Sequence, residues 1–183
     1  MRIESTDFAG LVVVHAPRFQ DQRGAFFELY HAERYAEAGI VEEFVQDNVS
    51  TSTQRTLRGL HYQTENPQAK LITVLSGTIF DVAVDLRQNS STFGRHFSRR
   101  LSARASADEF EQIKIPIGFA HGFCVLSATA SIHYKCSDVY TPSAERTIAW
   151  NDAQLNISWP VRDPTVSAKD KLGVAFGDAP YFE

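Results

Sequence analysis

At 183 residues the chain suits one domain that buries roughly 70% of the surface its unfolded form exposes, so a packed core needs no staple of disulfides or metal. Apolar residues make up 43% and charged residues 22%, ordinary globular proportions, and 18 basic against 22 acidic residues leave a formal charge of −4 that argues against a nucleic-acid partner. No apolar run approaches the eighteen or so residues of a membrane span, or the core of a secretion signal, so a soluble cytoplasmic protein without a membrane partner is expected.

No internal repeat, low-complexity tract or Pro/Gly/Ser-rich linker divides residues 1–183, so a single domain is expected. Period-two alternation dominates. Strands are predicted at 11–14 (LVVV) and 25–30 (AFFELY), followed by a helix over 31–39 (HAERYAEAG) that ends at Gly39. A strand over 43–50 (EFVQDNVS) leads to the unusually polar stretch RGLHYQ at 58–63. KLITVLSGTIFDVAVDLR at 70–87 reads as two strands joined by a tight hairpin turn at Ser76-Gly77-Thr78, with Phe80, Val82, Val84 and Leu86 on one face. Further strands are predicted at 95–102, 110–116, 123–127, 130–137 and 146–150, and Ser167 is a candidate N-cap for a short helix over SAKDKL. Many short strands with regular turns predict a mainly β protein, an antiparallel sandwich or barrel with a few short helices. Cys124 and Cys136 stand in apolar strand segments and read as reduced packing residues.

Two stretches carry the chemistry. In IPIGFAHGF, residues 115–123, the spacing P-x-G-x-x-H ahead of an apolar strand resembles the second signature of cupin barrels, and period two puts His121 and Phe123 on one face. A histidine there can be a metal ligand, a substrate contact or a core residue bonded to a backbone carbonyl. Metal cupins also need an H-x-H pair, and the six histidines (His15, His31, His61, His96, His121, His133) never fall two apart, so no catalytic metal is expected. In RGLHYQ, strict alternation would send Arg58 and His61 to opposite faces; a bulge or bend at Gly59 is expected if both serve one site.

The sequence resembles the dTDP-4-dehydrorhamnose 3,5-epimerases, metal-free cupins acting on nucleotide-linked 4-keto-6-deoxy sugars. The resemblance spans nearly the whole chain through DQRGAFFELY, FVQDNVS, LRGLHYQ, AKLITVLSGTIFDVAVDLR, STFG, IPIGFAHGF, YKCSDVYTP, IAWND, ISWP and SAKD. Ten segments in order and in register are specific where any single one is not. What the resemblance implies is an antiparallel cupin-type jelly-roll barrel that epimerises a nucleotide-diphospho-4-keto-6-deoxyhexose at C3 and C5, without a cofactor, as a homodimer.

Inverting a carbon beside a ketone needs a base, a cation or donor for the enolate oxygen, and an acid on the opposite face. By resemblance His61 is the base and Asp170 the carboxylate that orients it. Lys70, which shares strand parity with Ile72 and Val74, would stabilise the enolate, and Tyr134, in phase with Ile132 and Cys136, would be the acid. Arg58 has the planar fork that suits a diphosphate. The resemblance adds Gln46, Asp47, Asn48, His121, Glu145 and Lys169 to the substrate site, and Arg23 and Glu28 as residues that reach the neighbouring subunit's site. One departure is Val139, where many members carry the first of two adjacent tyrosines; it leaves open a single-position epimerase or a ketoisomerase. A silent sugar-nucleotide-binding cupin would need Arg58 and Lys70 but has no use for His61, Asp170 and Tyr134 together.

Overall fold

The computed structural model describes residues 1–183. Strands β1 (Arg2–Ser5), β2 (Val12–Pro17), β3 (Phe19–Asp21) and β4 (Gly24–Phe26) precede helix α1 (Ala32–Glu37). Then come β5 (Gln46–Thr53), β6 (Leu57–Gln63), β7 (Lys70–Ser76), β8 (Thr78–Asp85), β9 (His96–Ser102), β10 (Glu109–Ile115), β11 (Phe119–Val125), β12 (Thr129–Cys136) and β13 (Glu145–Thr147). They form two antiparallel sheets, ordered β1-β2-β10-β7-β12-β5 and β13-β6-β11-β8-β9, with β3 and β4 paired apart from both. This is the cupin-like architecture that the strand pattern and the resemblance predict.

The main core lies between the sheets, where Leu11, Ile72, Val74, Ile79, Ile113, Ile115, Phe123 and Ile132 pack together. A second cluster covers the outer face of the five-stranded sheet: Val82, Val84 and Leu86 share one face as the alternation predicts, and Phe80 packs against them. The carboxy-terminal residues Leu155, Phe176 and Ala179 close over that face, so β8 is buried on both sides. On the outer face of the six-stranded sheet, α1 lays Tyr35 against Val14 and Leu71, and the helix ends as expected before Gly39, which takes φ +89°.

The stretch 70–87 departs from the hairpin reading. β7 and β8 do meet at Gly77, but β7 pairs with β10 and β12 whereas β8 pairs with β9 and β11, so the turn is a corner between sheets. Period two cannot distinguish a hairpin from a corner, because both need alternation up to a tight turn. Gly77 makes the corner possible: φ is +79°, and a Cβ there would stand 2.2 Å from the Thr129 carbonyl oxygen. The strand predicted over 25–30 also shortens, since β4 stops at Phe26 and Phe27 turns to stack on Phe110 with ring centroids 4.9 Å apart.

Gly77→Ala is therefore expected to destabilise the fold by about 2–4 kcal/mol, combining left-handed strain with a backbone clash. A urea midpoint equal to that of the wild type would contradict this reading of the corner.

Candidate active site

A cleft of about 340 Å³ opens between the two sheets, at the lower end of the roughly 300–1,000 Å³ of small-molecule sites. The five-stranded sheet contributes Arg58 and His61 from β6, His121 from β11 and Glu145 from β13. The six-stranded sheet contributes Gln46 and Asn48 from β5, Lys70 from β7 and Tyr134 from β12. Arg58 and His61 share the cleft because β6 carries one extra residue: His121 pairs with His61 but Phe123 with Arg58, three steps on β6 against two on β11. Gly59, at φ +118°, sits in that bulge, where a Cβ would come within 2.6 Å of Gly122 Cα. The bend expected at Gly59 is thus present.

His61 is tied to a residue 109 positions away. Its Nε2 donates to Asp170 Oδ1 at 2.5 Å. A carboxylate can only accept, so Nε2 carries a proton, and in the neutral imidazole the lone pair that a base requires is on Nδ1. Two bridges strap the segment bearing Asp170 along β6. The Leu57 amide donates to the Thr165 carbonyl at 2.9 Å, and Val174 bridges to Ile148, which exchanges backbone bonds with Leu60. Between them Ser167 Oγ accepts the Asp170 amide at 3.0 Å, and the helix expected over SAKDKL shrinks to a 3-10 turn at Asp170–Leu172 whose N-cap position is Lys169 rather than Ser167. Burial pushes the Asp170 carboxyl up, but the His61 hydrogen bond and charge, with Ser167 and Lys169, outweigh it and hold the group below the ordinary range.

On the facing wall, burial pushes the Lys70 ammonium below the usual lysine range. Its only side-chain hydrogen-bond partner is Gln68, whose Oε1 accepts from Nζ at 3.1 Å; no carboxylate contacts it, and Glu145 acts on it only through space. Burial likewise raises the Tyr134 phenol and keeps it protonated at neutral pH. Ile132, Tyr134 and Cys136 all line the cleft, in the phase their spacing predicts. Both cysteines are free and buried; burial pushes Cys124 up to about 11 and also raises Cys136, which suits packing rather than nucleophilic chemistry.

The rim is a polar chain. Tyr140 donates its hydroxyl to Glu145 Oε2 at 2.6 Å and its backbone N–H to Gln46 Oε1 at 2.9 Å, and Lys169 pairs with Glu145. Lys169 thus reaches the cleft through Glu145. Arg58 donates from Nε to Ser52 Oγ at 3.1 Å and leaves the rest of its fork free.

Three predicted site residues lie elsewhere. Asp47 points away from the cleft, because alternation along β5 turns Gln46 and Asn48 inward and Asp47 outward, onto Lys135 and His133 at 2.8 Å each. Arg23 and Glu28 lie on and just beyond the β3–β4 arm, where Arg23 pairs with Asp21 and Glu28 with Arg34. Val139 is 52% exposed and outside the cleft lining, whereas the neighbouring Tyr140 is part of it. The sequence reading assigns no site role to Tyr140 or Asp81. The dipeptide Val139-Tyr140 held the signal for the first; nothing local distinguishes the second, whose Oδ2 accepts from His121 Nε2 at 2.8 Å. No three His, Cys, Asp or Glu side chains converge as metal ligands.

The dTDP-4-dehydrorhamnose 3,5-epimerase family profile matches residues 5–178. The chain is 49% identical to the dTDP-4-dehydrorhamnose 3,5-epimerase of Pseudomonas aeruginosa, over 93% of this chain and 94% of that protein. It is 45% identical to the Shigella flexneri enzyme of the same name, covering 100% and 99% of the two chains. Its fold superposes with a TM-score of 0.92 on the crystal structure of the Legionella pneumophila dTDP-6-deoxy-D-glucose-3,5-epimerase in complex with dTDP-4-keto-L-rhamnose, at 43% identity over 98% and 94% of the chains.

The Asp170 shift sets a pH dependence. A carboxyl held below its ordinary 3.8 in the folded state contributes stability that is complete above that value and lost as pH falls through the folded one. Asp170→Asn, uncharged throughout, should lose less stability than the wild type as pH falls below about 5. Parallel urea titrations across that window check it; identical slopes would remove Asp170 from the acid transition.

Proposed function

The chain belongs to the dTDP-4-dehydrorhamnose 3,5-epimerase family, and on that premise we propose that it inverts C3 and C5 of dTDP-4-dehydro-6-deoxy-D-glucose through an enolate. The observation that carries the residue roles is the facing of His61 and Tyr134 across one cleft from opposite sheets. Nδ1 of His61 takes the proton from the carbon beside the ketone, and the electron pair of the broken C–H bond moves onto the C4 oxygen. The Lys70 ammonium, desolvated and in contact with no carboxylate, stabilises that oxyanion. Tyr134 then delivers its phenolic proton to the opposite face of the carbon, the enolate collapses to the ketone, and the configuration is inverted. The His61 imidazolium then releases its proton to solvent and the Tyr134 phenolate takes one up, and the same sequence at the second carbon completes an isomerisation with no net gain of atoms or electrons.

Arg58 at the mouth grips the diphosphate, and Gln46, Asn48, His121 and Glu145 complete the sugar site. Lys169 acts through Glu145. All of this is the work of one domain spanning residues 1–183.

We further infer a homodimer. Phe19 and Phe26 on the β3–β4 arm are 64% and 71% exposed, a pair of aromatic rings that a lone subunit leaves in water. A neighbour that covers the arm would also give Arg23 and Glu28 a cleft to reach, since they reach none in their own chain. Replacing both Phe19 and Phe26 with Ser should yield monomers by sedimentation and raise KM; a dimer that survives the double change would place the interface elsewhere.

Turnover of dTDP-4-keto-6-deoxyglucose in deuterated water, followed by NMR, tests the reaction. Deuterium at both C3 and C5 is expected; label at one carbon would mean a single-position epimerase, and intact unlabelled substrate would sink the proposal. His61→Ala should lose more turnover than Asp170→Asn, which keeps an imidazole in a less certain tautomer. Tyr134→Phe should retain exchange of substrate hydrogen with solvent while inversion falls on the order of 10²–10⁴-fold, the range of a general acid. Loss of exchange and inversion together would instead make Tyr134 a positioning group.

A further inference from the structure

The cleft contains a second histidine–carboxylate pair that takes no part in the proton transfers, and nothing so far gives its carboxylate a task. His121 stands opposite His61 in the β6–β11 pairing, so the two imidazoles lie side by side on one wall. Each donates Nε2–H to a buried carboxylate, His61 to Asp170 and His121 to Asp81, and each leaves Nδ1 without a protein partner.

Asp81 is an expensive residue for its place. It is fully buried on β8, on the face that sends Ile79 and Ala83 into the intersheet core. Only one of its oxygens is used; Oδ1 has no hydrogen-bond partner. Arg99, opposite it on β9, commits its guanidinium to Glu4 and Glu111 instead. By contrast Asp170 is supported by Ser167, whose Oγ accepts its amide, and by the charge of Lys169. A buried carboxylate with half its acceptor capacity empty costs folding free energy that an uncharged residue would not. Its one contact, His121, is the only interaction through which that cost can be offset.

Resting on the epimerase reading above, we propose that Asp81 is a positioning residue that holds His121 in the Nε2–H tautomer, so that Nδ1 faces the bound sugar as a fixed hydrogen-bond acceptor beside the base. An acceptor of this kind matches a sugar hydroxyl. Held rigidly beside His61, it sets the ring's rotation in the cleft and hence which C–H bond His61 meets. Without Asp81 the imidazole can turn over or protonate at Nδ1, and a donor then replaces the acceptor. Arg58, the phosphate grip of the proposed function, bonds to Ser52 and not to this pair, so nucleotide binding is independent of it.

The test is Asp81→Asn in the full-length chain, with three readouts. Turnover of dTDP-4-keto-6-deoxyglucose should fall about 10–100-fold, the range for partners that orient a working imidazole. The dissociation constant for dTDP alone should stay within about twofold of wild type, because positioning leaves the nucleotide grip intact. Melting temperature should be unchanged or higher, because the substitution removes a half-satisfied buried charge. Wild-type turnover in the folded variant would overturn the proposal. So would a parallel loss of turnover, dTDP affinity and melting temperature, which is the mark of a structural role. Should the variant not fold, nitrogen-15 NMR of wild-type imidazoles, assigned through His121→Gln, decides: a proton on Nε2 of His121 supports the proposal and one on Nδ1 overturns it. A wild-type protein that fails to turn over this substrate would refute the epimerase reading alone, since the melting and tautomer measurements still judge the Asp81–His121 pair.

Discussion

One extra residue in β6, made possible by the left-handed backbone of Gly59 against Gly122, gives two side chains three positions apart a common face. Without it Arg58 and His61 would point to opposite sides of the sheet, and a cation for phosphate and a base for the sugar could not serve one ligand. The bulge also explains why so polar a stretch as RGLHYQ tolerates the centre of a sheet. Leu60 fills the core beneath the C-terminal segment, while Arg58 and His61 on either side of it face the cleft. A β-bulge is a local deformation that the rest of the ladder absorbs, which is why β6 resumes regular pairing with β13 immediately beyond it.

The two-sheet architecture separates groups that must not meet. A base and an acid within hydrogen-bond reach would exchange a proton with each other; here His61 and Tyr134 sit on different sheets with the substrate space between them. The same arrangement lets burial act selectively. Lys70 and Tyr134 enter the cleft from strands whose next inward residues belong to the apolar core, so both are desolvated. Desolvation strengthens the pull of the Lys70 charge on any anion that arrives and keeps the Tyr134 proton in place until it is needed.

Order within the site comes from backbone bonds made at a distance from it. The straps at Thr165 and Val174 bind the C-terminal segment to both ends of the β6 region, and Asp170 is carried between them to within 2.5 Å of His61. A carboxylate fixed this way needs little reorganisation when its imidazole becomes charged, which lowers the free energy of the proton-transfer step. The rim chain of Gln46, Tyr140, Glu145 and Lys169 joins the same turn to both sheets, so the cleft mouth and the dyad behind it are mechanically one unit.

Alternation in single segments was enough to place Lys70 with Ile72 and Val74, Tyr134 with Ile132 and Cys136, and His121 with Phe123, because side-chain parity is a local property of an extended backbone. The motif glycines at 39 and 59 likewise announced a helix end and a bulge, since positive φ is a demand that few other residues meet. Parity by itself turns Asp47 away from the face that Gln46 and Asn48 share; its place in the site is only what the resemblance implies. Local pattern could not reveal that the turn at Gly77 changes sheets, that the strand over 25–30 yields to an aromatic contact after Phe26, or that Asp81 lies behind His121. Each of these depends on which strands become neighbours, and neighbours are chosen by burial of whole faces rather than by any residue's own preference. The pairing of His61 with Asp170 is the clearest case: both residue types are legible, but their meeting depends on hydrogen bonds between segments more than a hundred positions apart, and only the folded sheet supplies those.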